Sequence, residues 1–322
     1  MRIGYIQKPE GSFCAVAVRP DETLLDVLGL VDARIAGTGL RTFGDIIRDS
    51  HIYENWAEMR HPYYGVQPFH LAQVWPEMAP IVNEAVEEFD RGRTNVEREA
   101  FLFPADTPLL CPFPRPKRVL AIGRNYGEHA KELGNAVPEE PIVFLKASTC
   151  VIGPNEPIRI PEWVGRVDYE AELLVVLGEG GRHIPESEAM NHVVAYSVFN
   201  DVTARERQRA AQEKKQPWFL AKSMDTSGPL GPWLVTKDDL PDPQNLRISL
   251  TVNGETKQND TTGSMIYSIP FLIAYLSKQF ALHAGDVIAT GTPSGVGPIR
   301  PGDVVEATIE GIGTLRNPVI AD

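Results

Sequence analysis

Cysteine is scarce in this chain: three residues in 322, Cys14, Cys111 and Cys150, with none close to another. That spacing excludes a Cys₄ or Cys/His zinc site and a disulfide framework, and it fits a reducing compartment. Long apolar runs are missing too. No stretch approaches the roughly 20 residues that a membrane-spanning helix needs, and Met1–Lys8 lacks the apolar core of a secretory leader. Positive charge is in deficit, with 31 Lys and Arg against 43 Asp and Glu and a net charge of −12. Such a surplus of acid argues against nucleic acid and anionic membranes as partners. Repeats and low-complexity tracts are absent. The expectation is a cytoplasmic protein with room for one large domain and one small one.

Proline marks where they divide. In Leu110-Cys-Pro-Phe-Pro-Arg-Pro-Lys117 alternate prolines forbid helix and favour an extended linker, which predicts a small α/β domain over 1–112 and a larger one over 113–322. In the first, Ile3–Ile6 and Phe13–Val18 read as paired strands. Thr42–Arg48 and Pro80–Arg93 read as helices, the second with Ile81, Val82, Ala85, Val86 and Phe89 on one face. Nothing there looks catalytic. After the linker, short β-branched runs dominate: Arg118–Ile122, Val193–Phe199, Leu246–Val252, Asp286–Thr290 and Val304–Ile309. Val252-Asn-Gly-Glu255 is a hairpin signal, and Ile269–Gln279 is the one clear helix. The fold class is β-rich α+β, a rolled or sandwich-like mixed sheet with few helices.

The chemistry begins at Val167-Asp-Tyr-Glu-Ala-Glu-Leu-Leu-Val-Val-Leu-Gly178, where two carboxylates interrupt an apolar run. Alternate residues of a strand share a face, so Glu170 and Glu172 project together. At about 4 Å and an effective dielectric near 20 they repel by about 4 kcal/mol, and a divalent cation reverses that sign. An exposed edge strand is the plainer alternative. A third acid, Asp201, closes the predicted strand Val193–Phe199. Three carboxylates make a hard oxygen site, suited to Mg²⁺, Mn²⁺ or Ca²⁺ rather than zinc.

Upstream, Ala121-Ile-Gly-Arg-Asn-Tyr-Gly-Glu-His-Ala-Lys-Glu-Leu-Gly134 runs from a strand through a turn into a short helical segment. There His129 and Glu132 lie three apart and become neighbours. A carboxylate beside an imidazole fixes its tautomer and raises its basicity, as a general base near neutral pH requires. Lys146 can touch an acidic substrate, although most lysines in such a setting merely cover a surface. His183, His192 and His283 stand apart and read as structural. The glycine-rich run 291–297 lacks the Gly-Lys-Ser/Thr ending of a phosphate-binding loop.

From about Pro114 onward the chain resembles the fumarylacetoacetate hydrolase family, in the branch of acylpyruvate hydrolases, oxaloacetate decarboxylases and enol-keto isomerases. The matching segments, in family order, are Gly123-Arg-Asn-Tyr-Gly-Glu-His129, Phe144-Leu-Lys-Ala-Ser148, Asp168-Tyr-Glu-Ala-Glu-Leu173, Asn200-Asp-Val-Thr-Ala-Arg205, Lys222-Ser-Met-Asp-Thr226, Gly254-Glu255 and the stretch Ala284 to Gly297. The resemblance implies that Glu170, Glu172 and Asp201 hold Mg²⁺ or Mn²⁺. It implies that His129 and Glu132 form the acid/base pair and that Lys222 contacts substrate or a developing oxyanion. Arg124, Tyr126, Lys146, Arg205, Gln208 and Thr292 are then substrate-binding candidates, Thr292 for the substrate carboxylate. A small 2-oxo acid as substrate, the family's β-roll and a homodimer are further implications. Two departures stand out. Glu206 replaces an Asp common among relatives, and a fourth metal acid of the founding hydrolase, whose place falls near Arg124-Asn125, is absent; the second argues against tyrosine-pathway fumarylacetoacetate as substrate. The leading expectation is metal-dependent carbon–carbon hydrolysis of an acylpyruvate, with oxaloacetate decarboxylation or enol-keto isomerisation on the same site as alternatives and a non-enzymatic scaffold behind them.

Overall fold

Seven consecutive buried residues, Ala171–Leu177, form the strand on which the rest is built. The run does not alternate because both of its faces are covered. Leu173, Val175 and Leu177 pack into one core and Leu174 and Val176 into another. The computed structural model describes residues 1–9, 11, 13–35, 75–93, 97–127 and 138–322. The predicted helix Thr42–Arg48 and the aromatic run His61–Tyr64 lie outside them, as do His129 and Glu132.

In chain order the strands are β1 (Arg2–Gln7), β2 (Phe13–Val18), β3 (Leu24–Asp26), β4 (Leu102–Phe103), β5 (Arg118–Gly123), β6 (Ile142–Lys146), β7 (Val151–Ile152), β8 (Ile158–Ile160), β9 (Val167–Asp168), β10 (Ala171–Leu177), β11 (Val193–Asn200), β12 (Thr203–Ala204), β13 (Gly228–Thr236), β14 (Arg247–Val252), β15 (Glu255–Thr261), β16 (Asp286–Ala289), β17 (Pro298–Ile299), β18 (Val304–Ile309) and β19 (Gly313–Ala321). An 11-stranded mixed sheet has the order β4-β3-β2-β1-β13-β11-β10-β16-β5-β6, with β7 beside β13. A five-stranded sheet, β15-β14-β18-β19-β8, shares the first core with one face of the large sheet, through Ile248, Leu250, Val305 and Ala307. Three short strands, β12-β9-β17, make a third sheet. The β-rich α+β expectation holds.

The helices are α1 (Val27–Ile35), α2 (Trp75–Asp90), α3 (Arg205–Glu213), α4 (Phe219–Lys222) and α5 (Ile269–Gln279). Helix α2 begins five residues before the predicted Pro80. Pro80 is exposed on its outer face and removes a backbone donor without ending the helix. The opposite face is anchored by Trp75, Met78, Val82, Ala85 and Phe89, all buried with Leu174 and Val176. The first-region strands therefore extend the large sheet, β1 pairing with β13 through Arg2↔Val235 and Ile3↔Leu234, while α2 covers one side of it. The predicted hairpin closes with Asn253 and Gly254 at φ +53 and +78, as a two-residue type I′ turn requires. Ser268 caps α5 by accepting the Phe271 N–H at 3.3 Å.

Candidate active site

The acids meet where β10 and β11 pair. Glu172 sits on β10, and Glu170 lies in the two-residue link between β9 and β10. Asp201 directly follows β11. Two reciprocal bonds fix the junction: the Glu170 N–H donates to Asn200 Oδ1 at 2.9 Å, and the Asp201 N–H donates to the Glu170 carbonyl at 2.8 Å. Glu170, Glu172 and Asp201 are 5, 2 and 0% exposed, which removes the edge-strand alternative. Each offers a carboxylate oxygen within 4.8 Å of the others.

Cations surround this cluster. Lys222 Nζ donates to Glu170 Oε2 at 2.8 Å and to Asp201 Oδ2 at 2.5 Å. Lys146 Nζ donates to Asp201 Oδ1 at 2.7 Å. Arg205, at the start of α3, donates to Asp168 Oδ2 at 2.7 Å, to Glu170 Oε1 and to Gln208 Oε1. Glu172 differs: it accepts the Gly291 N–H at 2.9 Å and forms no ion pair among the described residues. Burial, then the charges of Asp201 and Glu170, push its carboxyl well above the usual carboxylate range, against the pull of Lys222 and the Gly291 N–H. For Lys222, burial works against the charged form, but Asp201 and Glu170 outweigh it and raise the ammonium.

The donor set fits a divalent cation. Three hard carboxylate oxygens suit such an ion, and one from each acid lies within 4.8 Å of the others. Lys222, hydrogen-bonded to two of the three, fills part of the charge role that the ion would take. Glu172 is the acid left to be neutralised.

Above the acids opens a cavity of about 230 Å³, reached by Arg205, Gln208 and Lys222 and by Thr292 from the loop after β16. A buried amide sets that loop: Gln258 accepts the Ala171 N–H at 3.0 Å and donates to Thr292 Oγ1 and the Pro293 carbonyl, each at 2.8 Å. Arg124 lines the cavity from the turn after β5, in left-handed backbone at φ +57. The neighbouring Asn125 holds the turn. Its amide donates to the carbonyls of Tyr267 and Thr290 at 3.1 and 2.8 Å, and its oxygen accepts the Tyr267 N–H at 2.8 Å. Gly291 is at φ +96, and a Cβ there would lie 2.8 Å from that of Asn125, so the approach requires glycine.

A family model described as fumarylacetoacetate (FAA) hydrolase C-terminal matches residues 118–320. The chain belongs to the fumarylacetoacetate hydrolase family. A mitochondrial oxaloacetate tautomerase of Xenopus laevis is 46% identical over 219 residues, 66% of this chain and 68% of that one. The oxaloacetate tautomerase YisK of Bacillus subtilis is 41% identical over 239 residues, 70% of this chain and 78% of that one. Among solved structures, a 5-carboxymethyl-2-hydroxymuconate delta-isomerase of Mycobacterium smegmatis is 32% identical with a TM-score of 0.70, covering 100% of this chain and 99% of that one. A fumarylpyruvate hydrolase of Pseudomonas aeruginosa, in complex with Mn²⁺ and pyruvate, is 36% identical with a TM-score of 0.62 over 64% of this chain and 90% of that one. These relatives are enzymes, and this chain is an enzyme of the same family.

Of the residues singled out from the sequence, the three acids, Lys222, Arg205, Gln208, Arg124 and Thr292 all line one cavity. Two candidates do not reach it. Tyr126 is 1% exposed with its hydroxyl unpartnered among the described residues. Lys146 does not cover a surface; it is 3% exposed and bound to Asp201. Sequence reasoning missed Arg209, Gln212, Phe144, Trp218 and the Gln258 brace. The first two were within reach, because they continue the i, i+3, i+4, i+7 spacing begun by Arg205 and Gln208. Trp218 stacks edge-on with Phe144 at 5.6 Å, a contact between distant segments that no local pattern announces.

Proposed function

We propose that the protein cleaves the C3–C4 bond of an acylpyruvate-type 2,4-dioxo acid by hydrolysis, through the enolate of the pyruvate half. The observation that carries the reading is the joining of Glu170, Glu172 and Asp201 with the Lys222 ammonium beneath one small cavity. The three acids would hold Mg²⁺ or Mn²⁺, which when bound supplies Lewis-acid polarisation of the substrate. Thr292 and Gln208 offer hydrogen bonds to the substrate carboxylate. Lys222 donates to the oxygen on which negative charge develops as the C4 carbonyl is attacked. His129, oriented by Glu132, takes the proton from the attacking water.

A second reading rests on a separate observation. Relatives at 41 and 46% identity are named oxaloacetate tautomerases. Keto–enol tautomerisation uses the same residues and the same enolate without a water nucleophile, and loss of CO₂ from oxaloacetate would use it again. The enzyme is taken in either case as a cytoplasmic homodimer whose catalytic residues lie in 113–322, with gel filtration and cell fractionation as the checks.

The deciving test compares pyruvate release from acetylpyruvate with decay of enol-oxaloacetate, in Mg²⁺, in Mn²⁺ and in excess EDTA. Metal-dependent pyruvate release supports the hydrolase. Enol decay alone transfers the assignment to the tautomerase. Inactivity on both with metal present contradicts the 2-oxo acid reading.

A further inference from the structure

Gln258 is the single fully buried residue of β15, the outermost strand of the five-stranded sheet, whose other side chains are exposed or half-buried. A long polar side chain in such a place costs stability unless its polar atoms are all used. A β-bulge turns it inward. The pairing of β14 with β15 passes from Leu250↔Gln258 to Thr251↔Thr256, which leaves Lys257 as the extra residue. Bulges of this kind re-aim a side chain.

The partners of the amide fix which end is which. The Ala171 N–H can only donate, and it takes Oε1 at 3.0 Å; the Pro293 carbonyl can only accept, and it takes a hydrogen of Nε2 at 2.8 Å. Turning the amide over would set donor against donor and acceptor against acceptor. The other Nε2 hydrogen goes to Thr292 Oγ1 at 2.8 Å, so in this bond the hydroxyl is the acceptor. A hydroxyl has one proton to give. Because Gln258 offers a hydrogen there and no lone pair, the Thr292 proton turns away from it. Thr292 lines the cavity above the acids, and a hydroxyl that accepts one bond donates the next more strongly.

We propose that Gln258 is a positioning residue for the substrate: it holds the Thr292 hydroxyl as an acceptor, so that the proton of that hydroxyl is given to the carboxylate of the 2-oxo acid. The assignment rests on the 2-oxo acid reading above and deepens it, because it says how Thr292 comes to favour an anion. Gln258 does not itself line the cavity and acts through Thr292. Its bond to Ala171, the residue between Glu170 and Glu172, joins the donor to the backbone that carries the two glutamates. A brace that merely stiffened the loop would act whether or not residue 292 had a hydroxyl. A role through the hydroxyl disappears when the hydroxyl does.

The test is calorimetric titration of pyruvate into the full chain loaded with Mn²⁺, for the unaltered protein, Thr292→Val, Gln258→Met and the double variant. Thr292→Val and Gln258→Met are each expected to weaken pyruvate by about tenfold or more, with Mn²⁺ affinity kept within about threefold. The double variant is expected to bind pyruvate within about threefold of Thr292→Val alone, and Thr292→Ser to restore binding. Losses that multiply in the double variant overturn the proposal, as does normal pyruvate binding by Gln258→Met or a loss of Mn²⁺ in step with pyruvate. Should Gln258→Met fail to fold, a crystal structure of the unaltered protein with Mn²⁺ and pyruvate decides. Thr292 Oγ1 is expected within about 3.2 Å of both Gln258 Nε2 and a pyruvate carboxylate oxygen, and a hydroxyl out of reach of either overturns the proposal. Normal binding by Thr292→Val removes Thr292 from the carboxylate and this proposal with it. Absence of pyruvate binding by the unaltered, loaded protein overturns the 2-oxo acid reading itself.

Discussion

Glu172 is the residue on which the site's energetics turn. It is buried, repelled by two neighbouring acids and without an ion pair among the described residues. Its raised pKa means that the folded protein holds this proton while the unfolded chain has released it. Stability from this group is therefore complete below the usual carboxylate range and declines as pH rises toward the folded value. A bound divalent ion needs the ionised form and cancels the penalty. The rise in Tm produced by Mg²⁺ is thus expected to be larger near pH 8 than near pH 5.5; a rise independent of pH in thermal melts contradicts this. Glu172→Gln is expected to stabilise the metal-free protein by about 1 kcal/mol and to abolish the Mg²⁺-induced rise, both visible in the same melts. Lys222→Met is expected to retain Mn²⁺ binding by titration while kcat falls by about 10²–10³-fold. Glu170 and Glu172 were legible because their i, i+2 spacing beside an apolar run needs no tertiary information, although Glu170 lies in the link before β10 rather than on the strand. Lys146 was not, since a lysine at a strand end looks the same whether it meets water or a buried aspartate.

At the scale of elements, the turn after β5 and the loop after β16 are one device. Asn125 ties them, bonding to Thr290 in one and to Tyr267 before α5. Asn125→Ala leaves three backbone groups without these partners, the buried Thr290 carbonyl and the part-buried N–H and carbonyl of Tyr267. It is expected to cost about 2–4 kcal/mol by denaturant unfolding and to reduce kcat/KM, since Arg124 and the Gly291 N–H both depend on the turn. Unchanged stability contradicts the clamp. The strands of the larger region were readable from β-branched runs, and the 253–254 hairpin from its two turn residues. The start of α2 was not, because Pro80 reads as a helix opening, whereas the apolar face laid by Trp75 and Met78 carries the helix back past it. Gln258 as a brace was hidden by distance: it joins β15 to a loop more than thirty residues away.

At the scale of the molecule, a continuous sheet crosses the proline-rich stretch. Pairing of β1 with β13 joins residues more than 200 apart, a register that only three-dimensional closure specifies. The sequence marks the boundary in composition but holds no local sign of that pairing. The division at 112/113 is proposed as a division of roles, with the chemistry in 113–322. A chain starting at 113 is expected to keep the site residues yet expose Leu174, Val176, Val287 and Leu230, which pack in one core with α2 and β1. Sedimentation should then show concentration-dependent association, together with a lowered Tm; a monodisperse fragment of unchanged Tm contradicts that account. No helix of the described residues is long and apolar enough to cross a membrane.

The central claim is that Glu170, Glu172 and Asp201 hold a divalent ion that lets this enzyme form the enolate of a 2-oxo acid. Exchange of the C3 protons of pyruvate with D₂O, followed by NMR, tests it most directly, because it requires the enolate and nothing further. The account predicts exchange well above background with Mg²⁺ or Mn²⁺, lost in excess EDTA and lost in Glu172→Gln. Exchange that persists in EDTA, or that never rises above the uncatalysed rate with metal present, contradicts it.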